Sequence, residues 1–352
     1  MRGLFEDTIN RLLDDHLDTE MIGACEQGAW PATLWTQIDA LGFAEAAASE
    51  SAGGSGASWH DLYPVVRACG YHNLPVPLPE MMLVNWLLGL CGAQVAVGPA
   101  SLAAGSGLTR GDGGVSGCLH DVPFGRHVSC VLGTVASPEG VQAPGAQCLT
   151  LLRVADAREI RQRNNLAGEP RDTLEFVDCT PVVSCELPQG CPENIILLGG
   201  AMLRAAQIAG AMTRCLDLVV TYAGERVQFG RPISKFQAVQ QQIAVLAEEA
   251  AASRIAAEAA YATVSDFGPA LLPVMGAKIR TSEAVEAGAA IAHAVFGAIG
   301  FTHEHSLHLS TRRMWAWDGE FGSARHWADE VGRRVCRLGP RTLWSVVVSG
   351  QL

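Results

Sequence analysis

The 352 residues carry a net charge of −11, with 49% hydrophobic and 17% charged side chains. A chain of this length buries a substantial core and exceeds the usual span of one domain, so two or three packed layers and large subunit interfaces are expected. The negative balance argues against a phosphate-backbone grip on nucleic acid, which clustered Lys and Arg would have to supply.

The opening MRGLFEDTINRLL carries acidic residues early and lacks a long apolar stretch with a small-residue cleavage site, so no signal peptide is expected. Apolar residues then recur at helical spacing as Leu4, Ile9 and Leu12, as Trp35, Ile38 and Leu41, and as Leu62, Val65 and Val66. This predicts a helical layer reaching about Leu90. Within it, Glu50 to Ser58 is rich in glycine and reads as a turn between two helices, with Ser58 placed to cap the second. Met81 to Cys91 is mostly apolar but shorter than the roughly 20 residues that cross a bilayer. No apolar run reaches that length, so no membrane span is expected and the chain reads as cytoplasmic.

From about Ser106 to Leu187 the texture changes to short β-prone runs, Val128 to Val135, Leu149 to Val154 and Leu174 to Val177, separated by Gly, Pro and Asp. Helical periodicity returns at Pro192 and lasts to about Ala262, broken by a turn at Phe229 to Ile233. In that turn Pro232 need not donate a helical hydrogen bond. A further helix is expected from about Pro269 to Phe296. The fold class is therefore mainly α with a central β domain: an N-terminal helical domain over 1–105, a small β-barrel-like domain over 106–188 and a C-terminal helical bundle over 189–352. Eleven cysteines without a CxxC pair read as reduced, mostly buried thiols, and Cys179, Cys185 and Cys191 do not form a metal-knuckle pattern. The string His303-Glu-His-Ser-Leu-His308 lacks the HExxH spacing, so no metal site is expected there. Its residues are expected to polarise the following helix and make hydrogen bonds at a subunit contact.

The richest segment is Arg226-Val-Gln-Phe-Gly-Arg-Pro-Ile-Ser-Lys-Phe-Gln237. It brings a cation, an aromatic ring and an amide to the foot of a helix, and a guanidinium matches a pyrophosphate because it offers several donors in a fixed fork. The string resembles the signature of the acyl-CoA dehydrogenases. That resemblance implies a helical layer, a β domain and a four-helix bundle. It also implies that Arg226, Phe229 and Gln237 hold the FAD of a neighbouring subunit, with Arg226 at its pyrophosphate. Downstream, Phe296-Gly-Ala-Ile-Gly-Phe301 resembles the family's glycine loop, in which Gly297 and Gly300 would let backbone approach FAD; a helix end followed by a turn is the plainer reading. Ala294 stands where the family usually has a glutamine.

The resemblance implies removal of an α proton from an acyl-CoA thioester while the β hydrogen leaves as hydride to flavin N5, with electrons passing to an electron-transfer flavoprotein. A carboxylate with a raised pKa is expected to take the proton. In most of the family this glutamate precedes a Gly-Thr near the C-terminus. Setting Gly322-Ser323 in that place puts Phe321 at the catalytic position and Glu320 one residue early. A minority of the family carries the glutamate on the helix before the FAD arginine, where this chain has Gly199, Gly200 and Ala201. Glu320 is therefore the first candidate base and Asp318 the second, set against the plainer reading of Glu320 as a solvated loop carboxylate. Trp315 and Trp317 line an acyl pocket or belong to the core. The β domain lacks the family's Thr-Glu-Pro-like loop and Trp-containing segment. Val97 to Leu108 is a worn-down version of the first, and Val115-Ser-Gly117 matches the start of a family strand. Two architectures follow: a homo-oligomeric enzyme, or a heterotetramer in which this chain supplies half-sites to a second acyl-CoA dehydrogenase-like subunit.

Overall fold

The computed structural model describes residues 1–105, 107–136, 147–192, 194–339 and 343–349. Five helices open the chain: α1 (Arg2–His16), α2 (Thr19–Glu26), α3 (Ala32–Asp39), α4 (Trp59–Tyr71) and α5 (Leu78–Leu90). Asp18 caps α2 by accepting from the Met21 amide, and Ser58 caps α4 by accepting from the Asp61 amide. Each relieves one of the amides that a helix start leaves unpaired. Every residue of α5 from Leu78 to Leu88 is buried, so its sequence is apolar on all sides, interrupted by Glu80 and Asn85, rather than striped.

Among the described residues eight strands follow: β1 (Ala100–Leu102), β2 (Thr109–Gly111), β3 (Gly114–Pro123), β4 (Cys130–Ala136), β5 (Gln147–Arg153), β6 (Glu159–Arg161), β7 (Arg171–Cys179) and β8 (Val183–Glu186). They make two four-stranded sheets, ordered β1-β4-β5-β8 and β2-β3-β7-β6. Val131 and Leu152 face the second sheet, packing with Leu119 and Phe176, whereas Leu132 and Leu151 face the helical layer. This alternation lets one sheet serve two cores. The β layer begins at Ala100, ahead of the boundary expected at 106, and Ser106 itself lies outside the described residues. Strand β3 extends well beyond the Val115-Ser-Gly117 start; register shifts between Val115 and Gly117 and between Leu119 and Val122 interrupt the period-two pattern that would have marked it.

The C-terminal part holds α6 (Ile195–Glu225), a two-stranded ribbon of β9 (Val227–Gln228) and β10 (Arg231–Pro232), then α7 (Gln237–Ala262), α8 (Leu271–Phe296), α9 (Leu307–Gly319), α10 (Ala324–Leu338) and α11 (Leu343–Ser349). The first half of α6 packs in the core of the N-terminal helices, and its second half packs in a bundle core with α7, α8 and α9. Where α6 crosses α4, a Cβ on Gly70 would lie 2.0 Å from the Gln207 carbonyl oxygen and one on Gly210 equally close to that of Arg67. Glycine on both helices lets the two backbones touch. By length and composition α6 and the segment Leu271–Phe301 are apolar enough to cross a membrane, which corrects the expectation that no run reaches that length. In α6, 94% of the apolar window is buried inside the protein, as in the core helix of a globular fold.

Candidate active site

After α9 ends at Gly319, the chain turns through Glu320, Phe321 and Gly322 before Ser323 caps α10. Phe321 and Gly322 both have positive φ, 53° and 90°, and the Trp327 indole donates to the Phe321 carbonyl at 3.0 Å. The turn closes one side of a cleft of about 430 Å³, whose other walls include Ala104, His120, Arg163, Asn165 and Arg171 of the β domain.

Glu320 is not a solvated loop carboxylate. Arg171 donates to it from Nε at 2.7 Å and from Nη2 at 3.0 Å, Arg204 donates from Nε at 2.7 Å, and the Asn165 amide donates at 3.0 Å. Burial by itself would raise its pKa, but the Arg171 and Arg204 guanidiniums prevail and hold it at about 2. A base for a carbon acid is expected to show the reverse, a pKa raised towards its working pH. Asp318, the second candidate, lies half-buried in the last turn of α9, and its carbonyl oxygen accepts from Lys278 Nζ at 2.6 Å. Lys278 also donates to the Trp317 carbonyl, so a buried ammonium caps the C-terminal end of α9. Burial lowers the Lys278 pKa to about 8. Trp317 is buried and donates to Glu169 at 3.0 Å, whereas Trp315 is exposed.

Glu320 belongs to an unbroken alternation of four arginines and four glutamates. Arg204 joins it to Glu80 of α5 at 2.7 Å, and Arg171 joins it to Glu169 at 2.9 Å. From Glu169 the chain continues through Arg313 at 3.3 Å to Glu26 of α2 at 3.0 Å, and ends on Arg312 at 2.5 Å. Glu169 is likewise held below the usual carboxylate range: burial opposes ionisation, and Arg171 and Arg313 overcome it. The sequence reading missed every member except Glu320. The available signal was a lone charge inside an apolar helix, Arg204 in α6 and Glu80 in α5, since such groups are seldom buried without a partner.

The two places where the resemblance puts a catalytic glutamate meet in space. A Cβ on Gly200 would lie 2.2 Å from Phe321 Cδ1, so the phenylalanine ring occupies the room that a side chain at position 200 would need. Arg204 lies over the same ring, 5.2 Å from its centroid.

Arg226, Phe229 and Gln237 lie beyond the far end of α6, on the surface. Residue 226 ends α6, and its amide donates to the Tyr222 carbonyl at 2.8 Å. Among the described residues no hydrogen bond or ion pair is recorded for its guanidinium, which is exposed. Phe229 and Gly230 are the two central residues of the β9–β10 turn, with φ of 50° and 78° and with Gln228 opposite Arg231. Both central residues of such a hairpin need positive φ, a conformation uncommon for phenylalanine. Phe229 is nonetheless 93% exposed, and its ring meets that of Phe236 edge-on. Gln237 is the exposed first residue of α7. Gly297 ends α8 with φ 64° and open space around it. Gly300 is buried, and a Cβ there would meet Phe296 at 2.9 Å and Leu307 at 3.1 Å, so internal packing requires this glycine.

His303, His305 and His308 line a second cavity of about 680 Å³ with Glu26 and Arg312. The His305 ring accepts from the Leu307 amide at 3.0 Å at the start of α9. Among the described residues no group of three or more His, Cys, Asp or Glu side chains is arranged to hold a metal ion.

A family model described as the acyl-CoA dehydrogenase C-terminal domain matches residues 196–323. The acyl-CoA dehydrogenase IpdE2 of Mycolicibacterium smegmatis is 28% identical over 324 residues, covering 89% of this chain and 91% of that protein. The solved structure of the Tcur3481-Tcur3483 steroid ACAD G363A variant superposes with a TM-score of 0.82 at 22% identity, covering 94% of this chain and 96% of that one. The ChsE4-ChsE5 complex from Mycobacterium tuberculosis gives 0.81 at 19% identity, covering 96% and 98%.

Proposed function

Because the chain belongs to the acyl-CoA dehydrogenase family, we propose that it is one of two unlike subunits of an FAD-dependent acyl-CoA dehydrogenase. The activity is oxidation of an acyl-CoA thioester across its α and β carbons. The observation that carries the two-subunit reading is the pairing of Phe321 with Gly200, which leaves no carboxylate at either position where one is expected, beside a Glu320 already bound by two arginines. A carboxylate neutralised by two guanidiniums gains little from taking a proton, so the α proton goes to a base on the partner subunit. The fold likeness to two-chain assemblies agrees with this division of labour.

The surface turn fits a flavin bound outside this chain. Arg226 carries a fork of donors without a hydrogen-bond or ion-pair partner among the described residues, Phe229 holds its ring in solvent at the cost of an uncommon backbone conformation, and Gln237 offers its amide from the start of a helix. When bound, FAD would supply the acceptor for the β hydride, and its electrons would go on to an electron-transfer flavoprotein. The part of this chain is to bind the pyrophosphate through Arg226, to cover the flavin with Phe229 and to orient it through Gln237. We read the assembly as cytoplasmic, in keeping with the burial of the apolar window of α6 inside the protein.

The test is Arg226→Ala in the complex of this chain with its partner subunit. The variant complex is expected to purify with the same circular dichroism and the same subunit ratio but to lose most of its flavin. Full flavin retention would remove Arg226 from the cofactor.

A further inference from the structure

A third cavity, of about 370 Å³, lies where the start of α4, the end of α5 and the end of α7 come together. It shares no lining residue with the cleft beside Glu320 or with the histidine-lined cavity. Its volume falls at the lower end of the roughly 300–1,000 Å³ usual for small-molecule sites. Part of its wall is the glycine-rich segment before α4. There Gly53 and Gly56 have φ of 99° and 65°. A Cβ on Gly54 would lie 2.2 Å from the Ala48 carbonyl oxygen. The Gly56 and Ala57 amides donate to the Ala48 and Ala46 carbonyls, both at 2.8 Å. The segment is thereby pinned to the residues before it, and this wall stands without a ligand.

Three helices each give the cavity an aromatic side chain: Trp59 opens α4, Trp86 lies near the end of α5, and Tyr261 lies in the last turn of α7. The Trp59 ring meets that of Trp86 at 5.7 Å and 86°, and that of Tyr261 at 5.8 Å and 68°. Rings at such steep angles offer both faces and edges, the two ways in which a further ring packs well. The same residues carry polar groups that the fold leaves unused. Trp59 is 3% exposed and Tyr261 1%, yet among the described residues neither the Trp59 indole nitrogen nor the Tyr261 hydroxyl has a hydrogen-bond partner. Tyr63 beside them, by contrast, donates to the Arg254 carbonyl at 3.1 Å. A polar group buried unpaired is costly, so two of them beside one cavity call for a partner from outside the chain. The indole nitrogen only donates. Burial pushes the Tyr261 phenol pKa well up, so its hydroxyl keeps its proton and can donate as well. Ser58 accepts from the Asp61 amide, and the Trp59 and His60 amides precede it in a turn where a helix start lacks acceptors of its own. The wall is therefore rich in donors. It does not favour an anion: the Asp266 carboxylate lines the cavity and is exposed, and Arg2, which meets His60 at 2.9 Å, is paired with Glu258.

We propose that this cavity binds a planar, uncharged fused-ring molecule bearing a carbonyl oxygen, its rings against Trp59 and Trp86 and its oxygen taken up by the donors of Trp59 and Tyr261. The rings replace water on an apolar aromatic wall, and the carbonyl satisfies groups that the chain itself leaves unpaired. Because the occupant touches α4, α5 and α7 together, binding also ties these three helices and raises the temperature of unfolding. The site is separate from the flavin turn and from the Glu320 cleft, so it stands or falls independently of the reaction assigned to the complex.

The full-length chain is titrated by calorimetry with 2-acetylnaphthalene, with naphthalene and with 2-naphthoate, and its melting temperature is measured with each. The ketone is expected to bind with one equivalent, about fivefold or more tighter than either of the others, and to raise the melting temperature. Tyr261→Phe removes only an unpaired hydroxyl, so the melting temperature without ligand is expected not to fall. In that variant the affinity for 2-acetylnaphthalene drops by about fivefold to tenfold while that for naphthalene is unchanged. Trp59→Phe, which keeps a ring but loses the N–H, lowers the ketone affinity in the same direction. Equal affinities for naphthalene and the ketone would overturn the role of the carbonyl, and tighter binding of 2-naphthoate would overturn the choice of an uncharged ligand. No binding of the ketone, or binding that both variants leave unchanged, would overturn the site itself.

Discussion

Phe321 is the residue on which the reading of the site turns. It holds a left-handed backbone conformation, uncommon for a large side chain, and its ring lies where Gly200 offers no Cβ. Glycine inside an exposed helix is ordinarily worse than alanine by about 1 kcal/mol. Here Gly200→Ala is expected to destabilise by about 1–3 kcal/mol, because the added methyl overpacks against Phe321. Combining it with Phe321→Ala should remove that overpacking penalty, and a double-mutant cycle in urea measures the coupling. Additive effects would mean that the two residues do not interlock. Glu320 makes a second prediction at this scale. Glu320→Gln leaves Arg171 and Arg204 short of a buried countercharge and is expected to cost about 3–5 kcal/mol. A folded pKa of about 2, below the ordinary carboxylate value, means that the unfolded chain binds the proton more readily between those limits. The Glu320 contribution is thus fully present above about pH 4.5 and lost as the pH falls towards 2, a change on the order of 3 kcal/mol. Acid titration of stability in wild type and Glu320→Gln should differ by this slope.

Among the elements, the long helices of the C-terminal bundle were legible because each carries its apolar residues at helical spacing over many turns, and the ribbon between α6 and α7 was legible because Gly-Arg-Pro cannot continue a helix. Strand β3 was not, since its two register shifts break the alternation that marks a strand. Nor did the sequence reveal that the Trp315 to Ser323 stretch is mostly helix α9, capped from outside by Lys278 of α8. A cap supplied by a distant residue leaves no local pattern. The glycine loop after α8 was legible as a turn, and the packing of Phe296 and Leu307 against Gly300 was not, because it depends on residues that meet only on folding. Lys278 gives a prediction about α9. Its folded pKa of about 8 lies below the ordinary lysine value, so the unfolded chain binds more protons between about pH 8 and 10.5. Burial of the charge is a full penalty below pH 8, and stability should rise by up to about 3 kcal/mol as the pH climbs through that window. In Lys278→Met the rise should vanish; an unchanged slope would show that another group titrates there.

Across the whole molecule, the ion-pair chain from Glu80 to Arg312 joins all three parts of the structure: α2 and α5, the Glu169–Arg171 segment of the β domain, and α6, α9 and the Glu320 turn. It lies beneath the cleft and fixes the β domain against the helices, at the price of tying up the carboxylate nearest the expected catalytic position. The Arg226–Gln237 turn, by contrast, stands at the far end of α6 and is exposed. One half of the site's legibility follows from this arrangement. Arg226, Phe229 and Gln237 sit in one contiguous string, whereas the state of Glu320 depends on Arg171 and Arg204, which are distant in sequence and meet it only on folding.

The measurement that bears most directly on this account is the visible absorption spectrum of the chain purified alone and of the same chain purified with its partner subunit, each before and after adding an acyl-CoA. The account predicts that the chain alone lacks stoichiometric flavin and shows no bleaching, while the complex carries flavin that the thioester bleaches. A full flavin band on the chain alone, bleached by an acyl-CoA, would mean that the site is complete within copies of this chain and would contradict the two-subunit reading.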